Sequence, residues 1–316
     1  MVGFGTIFSA VLPVFLLVGL GWLLRARGWF SSSSEKDVMR LVVYVLYPCL
    51  IFRFLLGNEL LREGAIVAEA LATGFLFVTL SAMLVAVIAP LFGIRETRDR
   101  GTFSFVSATF NYGYIAIPVA ALIFSAEMIG VMLVVNVGVD LAIWSVGVAM
   151  VSGRFNRQNL KKAFSPPVIA VIVGLPMNFL GGRELLPVAL LNLIDMLAAT
   201  ALPIGIFIIG VAFCELAGES GAKLRPAVVT GTILMRHALL PALMLGTAWL
   251  IPFSPSVRDV ILVHAAMPCG IFPVVLAKHY GGSANLAFQA AATSNLLGMV
   301  TIPLWIKTGF WVLGHG

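Results

Sequence analysis

The nine residues Phe110–Pro118, FNYGYIAIP, place an asparagine, a glycine and a proline inside a stretch otherwise apolar enough to cross a bilayer. Pro118 carries no backbone N–H and leaves carbonyls of the preceding turn unpaired, while Gly113 lets the chain unwind. A second stretch, Met267–Pro273, MPCGIFP, does the same with Pro268, Gly270 and Pro273. Unpaired backbone is tolerated at membrane depth only where protein or a water-filled cavity satisfies it. Both stretches therefore read as unwound crossings that line a substrate site, with Pro118 and Pro273 as the helix-breaking residues.

The solvent follows from composition. With 60% hydrophobic residues, 11% charged residues and a mean hydropathy of +1.04, the 316-residue chain lacks the polar surface of a soluble globule. The net charge of +6 is spread singly and in small groups at the ends of apolar runs, so it marks topology and not a nucleic-acid surface. Cys49, Cys214 and Cys269 form no CxxC and no pattern with histidine, so they read as small buried residues; no metal and no cofactor is expected. HExxH, GxSxG and phosphate-binding glycine loops are lacking, which argues against an enzyme and against catalytic residues. SSSSEK, residues 31–36, reads as a loop and a capping start for the second helix at Ser34 or its neighbours.

Ten apolar runs stand along the chain, near 4–24, 38–56, 66–92, 102–125, 128–151, 166–182, 188–213, 226–250, 258–278 and 284–312. Each approaches the ~20 residues that a membrane-spanning helix needs. The first is too long for a signal-peptide core and is expected to remain as a helix. Loops after odd-numbered runs hold fourteen basic residues, from Arg25 to Lys278 and including Lys223; the opposite loops hold only Arg62, Arg183 and Arg258. The positive-inside rule puts the fourteen in the cytoplasm and both termini outside, in a multi-pass protein of the inner (cell) membrane.

A polar loop at 153–165 separates residues 1–152 from 166–316, five runs each. The halves match weakly but in order: Pro13 with Pro166, Pro48 with Pro203, Asn111 with Cys269 and Asn136 with Asn295. Five being odd, the second half enters from the opposite side. The expected fold is an all-α membrane protein of two inverted five-helix repeats with broken crossing helices 4 and 9, an architecture of secondary transporters.

Depth places the candidate site. Asn111 stands 11 residues past Arg100, Arg236 stands 11 past Arg225, and Pro268 stands 10 past Arg258. At about 1.5 Å per helical residue all three reach roughly the bilayer midplane, so the two breaks should meet there. The expected substrate-binding residues are Asn111, Tyr112, Gly113, Pro268, Cys269, Gly270 and Arg236. A buried arginine needs a partner, and Asp140 is the candidate for an ion pair with it. Asp140, Asp195 and His264 are also candidates for coupling to H+ or Na+, and His237 for a proton relay. Asn136 and Asn295 are expected to support the unwound segments by hydrogen bonds.

FNYGYIAIP, Arg236 followed five residues later by Pro241, and AAMPCGIFPVVLAKHYGG at 265–282 make the chain resemble the auxin efflux carrier family. That family includes plant auxin carriers and bacterial permeases for malonate, malate and similar acids. The resemblance implies a fold related to bile-acid symporters and sodium/proton antiporters, with helices 1, 2, 6 and 7 as scaffold and helices 3–5 and 8–10 as a moving transport domain. It also implies a homodimer joined through the scaffold. Cys269 departs from the plant proteins, which carry a polar amide there, and the long plant-type cytoplasmic loop is missing. The expected function is elevator-type alternating access moving small mono- or dicarboxylates. The alternatives are a transporter-like receptor or sensor without net flux, and a sodium-dependent bile-acid or sterol symporter.

Overall fold

The computed structural model describes residues 4–220 and 224–314, so Lys223 lies outside the described residues. All regular structure among them is helical: α1 Phe4–Ala26, α2 Ser32–Leu55, α3 Gly64–Phe92, α4a Thr97–Ala108, α4b Ala116–Ile123, α5 Ala126–Ser152, α6 Pro166–Phe179, α7 Val188–Ser220, α8 Pro226–Leu250, α9a Pro255–Ala266, α9b Phe272–His279 and α10 Ala284–Leu313. Seven of these, α1, α2, α3, α5, α7, α8 and α10, are long and apolar enough to cross a membrane; α6 is a shorter apolar helix. Runs 4 and 9 are interrupted, as FNYG and MPCG led us to expect.

Local chemistry sets the helix ends. Within SSSSEK it is Ser31 that caps α2, its hydroxyl accepting the Ser34 N–H at 3.1 Å, so α2 begins six residues earlier than the apolar run. A short helix, Arg157–Lys162, forms inside the polar 153–165 loop, with the Asn156 side chain accepting the Gln158 N–H. Three helices widen to π-turns, at Val42–Leu46, Ile143–Gly147 and Met235–Leu239. Pro48 and Pro241 follow the first and third and cannot donate to the turn before them. In the second, the Ser145 hydroxyl bonds back to Leu141 O at 2.5 Å and loosens the ladder.

Packing falls into two groups. α7 packs along α1 and against α2, and α2 packs on α6; α3 packs on α5 and α4a, while α9a packs on α8, α10 and α5. The groups touch where α1 meets α10 and α4b, where α2 and α6 meet α5, and where α7 meets α10. Small residues permit the closest approach: a Cβ on Gly74 would lie 2.0 Å from Val135 O, and one on Gly138 would lie 2.1 Å from Leu71 O, so α3 and α5 cross backbone to backbone. The most buried region surrounds this crossing and the two breaks, with Phe103, Phe105, Phe110, Met132 and Arg236 fully enclosed.

Candidate functional site

The two interrupted helices meet. Phe110 and Cys269 face each other in an isolated antiparallel bridge. It is closed by Asn111 N–H to Pro268 O at 2.8 Å and Gly270 N–H to Thr109 O at 2.8 Å. Backbone groups that the helices cannot use internally are thus spent across the crossing, as a β-ladder spends them. Space is tight on both strands: a Cβ on Gly113 would come within 2.7 Å of the Tyr47 hydroxyl, and one on Gly270 within 3.2 Å of Phe110 O.

Three carbonyls freed by prolines have named donors. Pro268 cannot donate to His264 O, and Arg236 Nη2 does so at 2.9 Å; the same guanidinium reaches Ala265 O at 3.1 Å and, through Nε, Met267 O at 2.8 Å. Pro273 cannot donate to Cys269 O, and Asn295 Nδ2 does so at 2.9 Å. Pro241 cannot donate to His237 O, and the Trp305 indole N–H does so at 2.9 Å. On the other crossing strand Asn136 Nδ2 donates to Tyr112 O at 2.9 Å. Asn136 and Asn295 therefore hold the unwound segments as the sequence led us to expect.

Two expectations are corrected. Arg236 and Asp140 do not form an ion pair: Arg236 is 1% exposed and donates through Nε and Nη2 to the carbonyl end of α9a, where the helix dipole also favours a cation, its Nη1 has no hydrogen-bond partner among the described residues, and it lies over the Phe110 ring at 5.5 Å. Asp140 instead accepts the Tyr112 hydroxyl at 2.7 Å. Asp195 does not reach the crossing either. It stands near the start of α7, salt-bridged to Arg183 at 2.8 Å and to Arg53 at 3.8 Å, and is 36% exposed in its side chain.

The remaining candidates fall around the bridge. Asn111 is 4% exposed; its Oδ1 accepts the Ile115 N–H at 3.1 Å, and its Nδ2 has no hydrogen-bond partner among the described residues. His264 is buried against Phe110, ring centroids 4.6 Å apart. His237 is held between Ser294 Oγ and Thr301 Oγ1, each at 2.9 Å. Since Ser294 Oγ already accepts the Cys269 N–H and Thr301 donates to Leu297 O, the consistent arrangement is a neutral imidazole protonated on Nδ1. Cys269 is buried, but Cys49 and Cys214 are only half-buried, against expectation.

Sequence reading missed Tyr47 and Tyr114, whose rings meet edge to face at 5.4 Å beside Tyr112, and it missed Ser294 and Trp305. Tyrosines inside apolar runs were the available signal, because a buried hydroxyl needs a partner. Trp305 had none, lying 68 residues from the carbonyl it serves.

A family model described as Membrane transport protein matches residues 6–158 and 155–306, which together include both crossing strands and the residues that hold them. The chain belongs to this family. It is the auxin efflux carrier family that the motifs resemble. Family relatives include an "Uncharacterized transporter" of Methanothermobacter thermautotrophicus, 26% identical over 94% of this chain and 96% of that one. A "Putative malonate transporter" of Rhizobium meliloti is 25% identical over 94% and 93%. "Auxin efflux carrier component 8" of Arabidopsis thaliana is 27% identical over 44% of this chain and 37% of that one. Within this membrane transport protein, the crossing supplies neutral amide donors, phenol hydroxyls and one carboxyl group. Such groups can bind and orient a small polar solute.

Proposed function

We propose that the chain is a secondary transporter of small organic anions, mono- or dicarboxylates, working by alternating access. The observation that carries this reading is the Phe110–Cys269 bridge, where two broken helices meet beside the Asn111 Nδ2, which has no partner among the described residues. A carboxylate suits a site of amide donors beside the starts of α4b and α9b, where helix N-termini carry partial positive charge. Asn111, Tyr112 and Gly113 on one strand and Pro268, Cys269 and Gly270 on the other form the binding surface. Arg236 adds positive potential from behind them. The relative named for malonate supports the substrate class.

Ten membrane crossings in two inverted repeats, with both termini outside the cytoplasm of an inner membrane, fit the basic residues and the paired breaks. The packing of α1, α2, α6 and α7 apart from α3–α5 and α8–α10 supports an elevator movement of the second group against the first. Dimerisation through the first group belongs to the same reading.

Counterflow tests it. Proteoliposomes loaded with unlabelled malonate should take up labelled malonate in a saturable way, and Asn111→Ala should weaken that uptake strongly. Saturable binding of malonate with no exchange would establish a receptor and sink the transport reading.

A further inference from the structure

Asp140 sits 14 residues into α5, about 21 Å along its axis and close to the middle of the membrane. An ionised carboxylate at that depth calls for a partner. No lysine, arginine or histidine side chain lies within 4.0 Å of it among the described residues. Oδ1 accepts the Tyr112 hydroxyl at 2.7 Å, and Oδ2 has no hydrogen-bond partner among the described residues. The residue is half-buried, so Oδ2 is not sealed in the core.

Among the elements packed on α5, α4a brings Arg98, Asp99 and Arg100, of which Arg98 donates to Gly281 O and Gly282 O and Asp99 pairs with Arg225; the short helix Arg157–Lys162 brings Arg157, Lys161 and Lys162, the last donating to the Tyr280 hydroxyl; and α9b brings Lys278 and His279, whose ring meets Tyr280. α3 brings Glu69, which accepts the Ser254 N–H, and α2 brings Arg53, which pairs with Asp195, and Tyr47. The 3-10 turn Leu60–Arg62 brings Arg62, which pairs with Glu59. α9a brings Arg258, Asp259 and His264, of which Arg258 donates to Leu313 O and His264 is stacked on Phe110. α4b and α6 bring no charged or titratable side chain, and the crossing strand brings Tyr112 and Tyr114. Glu127 lies at the far external end of α5 itself. Among the described residues Tyr112 alone bonds to Asp140.

Asn136 and Asp140, four residues apart on one face of α5, grip the same residue: Asn136 holds the Tyr112 carbonyl and Asp140 holds its hydroxyl. The charge on Asp140 is therefore felt on the crossing strand one residue from Asn111 and from Gly113.

We propose that Asp140 is the proton-binding site of the carrier, taking a proton on Oδ2 when the crossing binds its anion, so that one proton travels with each carboxylate. The reaction is a protonation only: Asp140 carboxylate plus H+ from one aqueous face gives the acid, and the same proton leaves at the other face. An ionised Asp140 would put a second negative charge beside the substrate; the neutral acid removes that repulsion, and Oδ2 changes from acceptor to donor. This inference rests on the transport reading above.

The test uses the purified chain in proteoliposomes with malonate as probe, the membrane potential clamped near zero and a pH-sensitive dye inside. With the interior one pH unit more alkaline, wild type should accumulate malonate about tenfold, and the dye should report proton entry only when malonate is added. In Asp140→Asn the ratio of uptake with the gradient to uptake without it should fall to about one, and Asp140→Glu should restore it. Wild-type uptake indifferent to the gradient, or an undiminished ratio in Asp140→Asn, overturns the proposal. Because the first of these is read on wild type, a variant that fails to fold leaves the answer intact. Counterflow at equal pH together with net uptake that ignores the pH gradient refutes the coupling alone, whereas no counterflow at all refutes the transport reading and the proposal with it.

Discussion

Arg236 Nη2 lies 2.9 Å from the carbonyl oxygen of His264, the oxygen that Pro268 leaves without its helical donor. A guanidinium with fork geometry serves three carbonyls at the end of a broken helix, a task no single neutral side chain matches. Arg236→Gln should therefore cost about 3 kcal/mol or more in folding stability, read as a lowered midpoint of thermal unfolding in nanodiscs. Asp140→Asn should not rescue it, because the two residues share no contact and their effects should add within about 0.5 kcal/mol. Rescue by Asp140→Asn would restore the ion pair expected from sequence.

Asn295 secures Cys269 O, and Asn136 secures Tyr112 O. Replacing either by alanine leaves one buried carbonyl unpaired, at about 1–3 kcal/mol. Only the first should loosen the strand that carries Cys269. In a chain with Cys49→Ser and Cys214→Ser, Asn295→Ala should speed the reaction of Cys269 with a membrane-permeant maleimide several-fold, while Asn136→Ala should change it far less. Equal rates in all three proteins would show that these amides do not hold the crossing.

The α3–α5 crossing leaves no room for a methyl group at Gly74, where the obstacle is the Val135 backbone carbonyl. Gly74→Ala should cost about 1–3 kcal/mol by forcing the helices apart. Gly246, with nothing within 4 Å of an added Cβ, should accept alanine without loss. Matched unfolding midpoints for the two variants would mean that α3 and α5 do not approach as described.

The breaks in runs 4 and 9 were legible because proline and glycine act on the backbone wherever they stand, and the depths of Asn111, Arg236 and Pro268 could be counted from flanking charges. What answers each break was legible only in part. Asn136 and Asn295 stood out as amides in apolar helices. For Arg236 the sequence offers Asp140, since a carboxylate is visible in a sequence and a row of freed carbonyls is not. Asp195 was miscast for the same reason: a carboxylate inside a long apolar run looks intramembrane until its arginines, 12 and 142 residues away in sequence, are seen beside it. The π-turns and the short helix within the polar loop depend on side-chain hydrogen bonds and capping, which hydropathy does not register.

Trp305 offers the sharpest test that proline and donor are matched. Its indole N–H donates to His237 O, which Pro241 leaves unpaired four residues later in α8. Trp305→Phe keeps a ring in place but strands that carbonyl, at about 1–3 kcal/mol. Pro241→Ala returns an N–H to the position that normally bonds residue 237, so the helix can satisfy the carbonyl itself. In the Pro241→Ala background, Trp305→Phe should therefore lose at least about half of its effect on the unfolding midpoint, a coupling that a double-mutant cycle reads directly. An equal loss in both backgrounds would mean that Trp305 stabilises the protein by packing alone, and that some other group serves His237.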